Sequence, residues 1–250
     1  MAEPFAGGKS TELGRDAPPS PACPVLVFDV NETLLDLRTL EPVFKRAFGR
    51  PEVMREWFAQ LILYSQTYTI ASIYMPFGDL AVATLRMVGE TSGVRISEET
   101  IADLAQHLNH MPIHADVLSA LARLREAGFR LVTLTNSAPG PGPGALERAG
   151  ATLFFERQFT VHTVGKFKPA RECYNMVADG LGVAESDICI VACHLWDTIG
   201  AQAAGCRAAL ILRPGNALLP ASGTPLPDIV ADDLLSFADE AIRRWRGNAP

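Results

Sequence analysis

"PVLVFDVNETLLDL", Pro24–Leu37, is the stretch whose reading decides the fold. Four apolar residues, Val25 to Phe28, lead without a polar break into Asp29, and Glu32 and Asp36 follow within the same short segment. A continuous, β-branched run is the pattern of a strand covered on both faces. Similar runs recur at "RLVTLTNS" (130–137), "FFERQFTVH" (154–162), "ICIVAC" (188–193), "AALILR" (208–213) and, more weakly, "DIVADD" (228–233). Amphipathic stretches separate most of them, and two, "ADVLSALARLREAGF" and "PARECYNMVADGLG", carry a glycine in the helix C-cap region. Strand alternating with helix predicts an α/β fold, a doubly wound parallel sheet with a Rossmann-like core.

One interval breaks the alternation. Residues 39–112 show helical periodicity ("LEPVFKRAF", "EVMREWFAQLILYSQTY", "FGDLAVATLRMVGE", "SEETIADLAQHLNH") and no convincing strand. Ligands of an open α/β sheet bind outside the carboxyl ends of the strands, so an insert directly after the first strand is placed as a lid. The expected organisation is a core of residues 23–38 and 113–250, an inserted helical cap subdomain at 39–112, and a disordered tail at 1–22. The tail contains "GGKST", which lacks the first glycine of a phosphate-binding loop because that position is Glu3.

Composition narrows the function classes. The 250 residues are 48% hydrophobic, enough for a full core, and carry a net charge of −6 with a pI near 5.4. There is no Lys/Arg cluster, which argues against nucleic acid or an anionic membrane and for a small-molecule partner. No apolar run approaches the roughly 18 residues of a membrane span, nor does the N-terminus hold the core of a signal peptide. The five cysteines (Cys23, Cys173, Cys189, Cys193, Cys206) are odd in number and form no Cys-x-x-Cys pair. Buried free thiols in a reducing cytoplasm are expected.

The chemistry-bearing residues stand at strand ends. Asp29 ends the first run; alone it reads equally well as a turn residue or helix N-cap. The second run ends in Thr135, Asn136 and Ser137, groups that hold an anion or cap a helix. Lys168 precedes Pro169 at a helix start, a surface position unless something anionic faces it. After the fourth run comes "ACHLWDTIGA", with His194 and Asp197 bracketing Trp196. In this order the residues resemble the four motifs of the haloacid dehalogenase superfamily: Asp29-x-x-x-Thr33-Leu34, then Thr135-Asn136, Lys168 and Asp197. The resemblance spans residues 24–245.

Asn31 divides that superfamily. Its phosphatases resemble one another in a second aspartate two residues after the nucleophile; here an amide stands there, unable to give or take a proton at pH 7. Motif four has Asp197 with His194 rather than paired acids, so a hard cation lacks oxygen ligands and neither metal nor cofactor is expected. "LTNS", "VGKFKPARECY", "LWDTIGA" and "WFAQLILYSQ" resemble the type II, L-2-haloacid dehalogenase branch. The resemblance implies that Asp29 attacks the halogen-bearing carbon with inversion, and that water then hydrolyses the aspartyl ester to a 2-hydroxy acid. It implies that Lys168 keeps Asp29 ionised, Asp197 positions Lys168, and Thr33 hydrogen-bonds the nucleophile. The substrate carboxylate falls to the backbone at Val30 and Asn31 and to Thr135, with Asn136 beside the leaving group. Tyr174 matches the family's active-site tyrosine, and Trp196 joins the substrate-binding set.

Two departures stand out. Phe58 occupies the place of the branch's halide-receiving arginine; Arg55, one helical turn earlier, is a displaced substitute or a surface residue. His194 replaces a small polar residue, as general base for the water or as a packed core histidine. His107, His110, His114 and His162 are expected to be solvated, and Glu32 and Asp36 to be turn or surface carboxylates. The leading expectation is a metal-independent L-2-haloacid dehalogenase; alternatives are a ring-opening azetidine-2-carboxylate hydrolase, a phosphatase, or a non-catalytic member. The branch is commonly dimeric, and a homodimer is expected, with an apolar patch around Trp57 and Tyr64.

Overall fold

The computed structural model describes residues 23–247; the expected disordered tail and its "GGKST" lie outside them. In chain order the elements are β1 (Val25–Phe28), α1 (Glu41–Phe48), α2 (Val53–Ile70), α3 (Phe77–Thr91), α4 (Glu98–Asn109), α5 (Val117–Glu126) and β2 (Leu131–Thr135). There follow the single-turn α6 (Ala145–Arg148), β3 (Arg157–Thr160), α7 (Arg171–Leu181), β4 (Ile188–Ala192), α8 (Leu195–Ala204), β5 (Arg207–Ile211), β6 (Ile229–Ala231) and α9 (Leu234–Trp245).

The six strands form one parallel sheet in the order β3-β2-β1-β4-β5-β6. Every residue of β1 and β4 is buried, as strands require when helices cover both faces. Helices α5 and α9 pack together on the sheet, as α7 and α8 do, and the Phe28 ring meets Phe155 and Phe237 edge-on. Gly128 and Gly182 follow α5 and α7 with φ of 81° and 67°, the left-handed conformation that lets a helix turn off without a Cβ clash. The third expected strand is shorter than its apolar run. Only Arg157–Thr160 pair with β2, because 3-10 turns at Ala151–Phe154 and Val161–Thr163 flank an edge strand whose Arg157 and Gln158 face solvent.

The order of the strands creates the crevice. The chain builds outward from β1 to β2 and β3, then returns to the other side of β1 with β4, making the β1/β4 boundary a topological switch point. Phe28 is in register with Thr133 and Val191, and the Asp29 amide extends the ladder by donating to the Val191 carbonyl at 3.0 Å. β1, β2 and β4 therefore release their chains at one level, at Asp29, Asn136 and Cys193–His194.

Between β1 and α5, helices α1–α4 form a packed group without an intervening strand, α2 lying against α3 and α1 against α2 and α4. Trp57 is buried at its centre, against Phe44 and Phe58, and its indole N–H donates to the Ala81 carbonyl at 2.9 Å. This corrects the expected surface patch around Trp57 and Tyr64: Trp57 is core and Tyr64 half-buried, while the exposed apolar residues of α2 are Leu63 and Ile70. All five cysteines are unpaired and four are buried. No helix among the described residues is long and apolar enough to cross a membrane.

Candidate active site

The turn after β1 carries Asp29, 5% exposed, into the crevice. Its Oδ1 accepts from the Lys168 ammonium at 2.7 Å and its Oδ2 from the Thr33 hydroxyl at 2.7 Å. The Thr33 oxygen in turn accepts from the Cys193 amide at 2.9 Å, which ties the β1 turn to the end of β4. Lys168, in the loop before α7, also donates to Asp197 Oδ2 at 2.6 Å and to the Leu134 carbonyl at 3.2 Å. With 1% of its surface exposed, it is no solvated lysine. Asp197 lies inside the first turn of α8 and is not the helix N-cap; its second oxygen accepts from the Tyr174 hydroxyl at 2.7 Å.

This arrangement sets the charges. Burial alone raises the pKa of a carboxyl, but the Lys168 ammonium, the hydrogen bond from His194 and the His194 charge outweigh it and hold Asp29 well below the usual carboxylate range. Burial works to deprotonate Lys168, yet the Asp197 and Asp29 carboxylates raise its pKa and keep it an ammonium. Asp197 moves the other way: burial and the Asp29 charge raise it against Lys168 and Tyr174. Asp29 is thus an ionised carboxylate stripped of bulk water, the state a nucleophile needs.

A second set of groups stands on the other side of Asp29. His194 Nδ1 lies 3.4 Å from Asp29 Oδ2, and its Nε2 lies 2.8 Å from Glu32 Oε2. The imidazole is held between the Trp196 ring, stacked with centroids 5.0 Å apart, and the Phe58 ring at 5.6 Å. Burial opposes its protonation, but Cys193, Asp29 and Glu32 raise its pKa well above the usual value. Burial also raises the Cys193 thiol, which keeps it neutral at neutral pH, so the two carboxylates carry the effect. His194 is therefore excluded from solvent between two carboxylates that favour its protonated form.

The pocket over these groups is narrow, with about 10 Å³ of free volume, roughly the room of one water molecule. Asp29, Asn31, Phe58, Asn136, His194 and Trp196 line it, and two residues not anticipated, Ile62 of α2 and Phe77 of α3, complete it. The Asn136 Oδ1 accepts from the Lys168 backbone N–H at 3.1 Å, which fixes its amide orientation and turns the NH₂ end the other way. Asn31 donates to the Ser137 hydroxyl at 3.2 Å.

The other anticipated site residues stand outside the pocket lining. Val30 accepts the Leu34 and Leu35 amides through its carbonyl and so shapes the turn. The Thr135 hydroxyl accepts from the Ser137 N–H at 3.1 Å. Tyr174, anticipated among the substrate-binding groups, is fully buried behind Asp197 and braces that carboxylate.

Three surface assignments need correction. Glu32 is 3% exposed and lies between His194 and Arg55, its carboxylate kept ionised against burial by both. Arg55 is neither free surface nor halide receiver: it pairs with Glu32 and donates to the Pro214 carbonyl at 3.0 Å, away from the pocket. His114 is half-buried and bonds the Glu32 carbonyl at 3.0 Å. Spacing along the chain carried no signal for Glu32, whose partners Arg55 and His194 come from distant segments. Asp36 does behave as a turn residue, capping the 3-10 turn at Leu37–Leu40 and pairing with Arg38.

Asp29, Cys193 and His194 bring one oxygen, one sulfur and one nitrogen within 4.8 Å of one another. That mixed donor set does not fit a hard cation such as Mg²⁺, which takes oxygen ligands, and the Lys168 ammonium already sits on Asp29.

The haloacid dehalogenase-like hydrolase family model matches residues 23–205. An (S)-2-haloacid dehalogenase of Xanthobacter autotrophicus is 28% identical over 207 residues, 81% of each chain. A phosphoglycolate phosphatase of Aliivibrio fischeri is 25% identical over 220 residues, 84% of this chain and 92% of that one. Among solved structures, the Xanthobacter autotrophicus L-2-haloacid dehalogenase with chloropropionic acid covalently bound superimposes with a TM-score of 0.79 at 24% identity, over 90% of this chain and 99% of that one.

Proposed function

The chain belongs to the haloacid dehalogenase-like hydrolases, and from that membership we propose that it is a metal-independent L-2-haloacid dehalogenase working through an aspartyl ester. The observation that carries the reading is the Asp29–Lys168–Asp197 triad, a buried carboxylate held ionised beside a small pocket. An Asp29 oxygen attacks C2 of the haloacid; the carbon–halogen bond breaks with its electron pair leaving on halide, and an ester to Cγ of Asp29 remains. Once Asp29 is a neutral ester, the Nδ1 proton of His194 is released to solvent with the halide; water then attacks the ester carbonyl carbon while the freed Nδ1 takes its proton. The ester C–O bond breaks, the leaving alkoxide receives the proton as the 2-hydroxy acid, and Asp29 is regenerated with net release of one proton. The Asn136 amide and the backbone near Val30 and Asn31 bind the substrate, and Thr135 and Thr33 support that geometry.

The helices α1–α4 act as the cap, since Phe58, Ile62 and Phe77 reach the pocket from them. A homodimer and a cytoplasmic location are part of the proposal; the unpaired thiols and the exposed Leu63 and Ile70 of α2 support them.

One observation favours a second leaving group. His194 lines the pocket as a proton donor where Phe58 supplies none, and a strained-ring nitrogen such as that of azetidine-2-carboxylate, taking up a proton as its C–N bond breaks, suits such a donor. Asn31 argues against the phosphatase reading, because no second carboxyl beside Asp29 is available to protonate a leaving alkoxide. Incubation with L-2-chloropropionate and with azetidine-2-carboxylate, following chloride release and ring-opened product, separates the first two; Mg²⁺-dependent phosphate release from an aryl phosphate, with neither other product, overturns both.

A further inference from the structure

The oxygen, sulfur and nitrogen that Asp29, Cys193 and His194 bring together are all buried, and among the described residues no other three such side chains gather in this way. The set turns away Mg²⁺ by its donor chemistry, but thiolate, imidazole and carboxylate are the ligands that Zn²⁺ takes. In a tetrahedral site with Zn–N and Zn–O of about 2.0–2.1 Å and Zn–S of about 2.3 Å, the nitrogen stands about 3.3 Å from the oxygen and about 3.6 Å from the sulfur. His194 Nδ1 lies 3.4 Å from Asp29 Oδ2 and 3.7 Å from Cys193 Sγ. The spacing of a zinc site is present without rearrangement.

Each donor is fixed by a contact that leaves it able to bind a cation. Lys168 occupies Oδ1 of Asp29; Oδ2 accepts from the Thr33 hydroxyl and keeps a second lone pair on the side of the imidazole. The Cys193 amide is tied to the Thr33 oxygen, which anchors the residue that carries Sγ. The His194 ring lies between Trp196 and Phe58, and its far nitrogen meets Glu32 Oε2 at 2.8 Å. Metal-bound histidines almost always direct their second N–H to such an acceptor, which fixes the tautomer that binds the metal. The free volume of about 10 Å³ over these groups has room for one water as fourth ligand.

We infer that Asp29 Oδ2, Cys193 Sγ and His194 Nδ1 form a site for one thiophilic divalent cation such as Zn²⁺, and that filling it switches the enzyme off. The coordination stands apart from the dehalogenase reading, whereas the loss of turnover rests on it. The charges balance: the cation brings two, and one proton leaves from Sγ and one from Nδ1, so the buried cluster with Lys168, Asp197, Glu32 and Arg55 keeps its net charge. With the cation in place, Asp29 cannot reach a substrate carbon and His194 has no free lone pair.

The test uses Co²⁺ as a coloured substitute for Zn²⁺ and needs no substrate. Chelator-treated, buffer-exchanged full-length protein is titrated with Co²⁺ by absorbance and with Zn²⁺ by calorimetry, in wild type, Cys193→Ser, Cys193→Ala and His107→Ala. The last removes the cap histidine paired with Asp103, a competing surface position for a cation. Wild type and His107→Ala are expected to bind one equivalent, with a near-ultraviolet sulfur-to-cobalt band and the intense visible bands of four-coordinate cobalt. Both Cys193 variants lose the sulfur band and bind Zn²⁺ at least about 10²-fold more weakly, the upper end of what loss of an outer-shell partner alone costs. One equivalent of Zn²⁺ abolishes chloride release from L-2-chloropropionate by the wild type, and EDTA restores it. No sulfur–cobalt band in the wild type, a band that survives in both Cys193 variants, or Zn²⁺ binding that only His107→Ala weakens, the mark of a surface ion, overturns the inference; turnover that persists with the site filled overturns the switch. Should neither Cys193 variant fold, the ¹¹³Cd NMR shift of the wild-type complex decides, because a sulfur ligand moves it far downfield of a site with nitrogen and oxygen alone. Absence of chloride release in metal-free wild type defeats the dehalogenase reading instead, and the cobalt spectrum still judges the site.

Discussion

Replacing Lys168 by methionine keeps the volume of the side chain and removes the one cation between two buried carboxylates. In the wild type, Lys168 lies 2.7 Å from Asp29 and 2.6 Å from Asp197, with none of the three exposed beyond a few per cent. Removing one partner of a buried pair costs about 3–5 kcal/mol at neutral pH, because the charge left behind has neither water nor counter-ion. The sign of the pH dependence follows. The lowered Asp29 pKa gives stability that is present above the unfolded carboxyl pKa and lost as pH falls; the raised Asp197 pKa opposes it. Without Lys168 the pair retains a proton in the folded state that the unfolded chain gives up near pH 4, so the variant loses stability as pH rises.

One retained proton gives a slope of about −1.4 kcal/mol per pH unit relative to wild type, or roughly 3 kcal/mol between pH 5 and pH 7. At about 2–4 °C per kcal/mol for a chain of this size, the loss is on the order of 6–12 °C in Tm. Urea denaturation of both proteins at pH 5, 6, 7 and 8 measures the slope directly. A Lys168→Met protein whose stability parallels wild type across that range refutes the idea that Lys168 is the counter-charge of the pair. Its activity at pH 7 is expected to be lost, because Asp29 loses the ammonium that orients its Oδ1 and helps to hold it ionised.

Further outcomes follow from the same contacts. Tyr174→Phe removes the bond to Asp197 and leaves the pocket lining intact, so kcat falls severalfold with KM unchanged, and stability drops by about 1–2 kcal/mol; a raised KM with unchanged kcat in steady-state kinetics assigns Tyr174 to the substrate instead. Thr33→Val leaves the Cys193 amide and one Asp29 oxygen without their partner, and costs about 1–3 kcal/mol in chemical denaturation together with most of the turnover. The raised His194 pKa contributes stability that is complete below its unfolded value near 6.5 and lost as pH rises through the folded value. His194→Asn is therefore expected to lack that alkaline decline, and denaturation between pH 6 and pH 9 shows it as curves that converge at high pH.

The sheet was legible because its central strands are buried on both faces, and continuous apolar runs such as Val25–Phe28 and Ile188–Ala192 have few other uses. The edge strand was overread, since the 154–162 run is apolar for reasons of local packing at Phe155 and Val161 and not only of pairing. Asp29, Lys168 and Asp197 stood out by their order at strand ends, and the family resemblance carried by that order implied that they meet. Glu32 did not, because its partners arrive from elsewhere: Arg55 from α2 and His194 from 162 residues away. The same limit applied to Trp57, whose helix has apolar residues on more than one face, so its periodicity does not say which face α1 and α3 cover. Tyr174 illustrates the converse, a residue whose resemblance gave its neighbourhood correctly but whose hydroxyl points at Asp197 and not at the pocket.

The central claim is that the oxygen of the product comes from Asp29 and that water repairs Asp29 afterwards. A single turnover with enzyme in excess over L-2-chloropropionate in H₂¹⁸O, followed by mass spectrometry of the product and of the peptide containing Asp29, tests it most directly. The account predicts an unlabelled 2-hydroxy acid and ¹⁸O on Asp29. Label in the hydroxy acid with none on Asp29 means that water attacked the substrate carbon itself, and contradicts it.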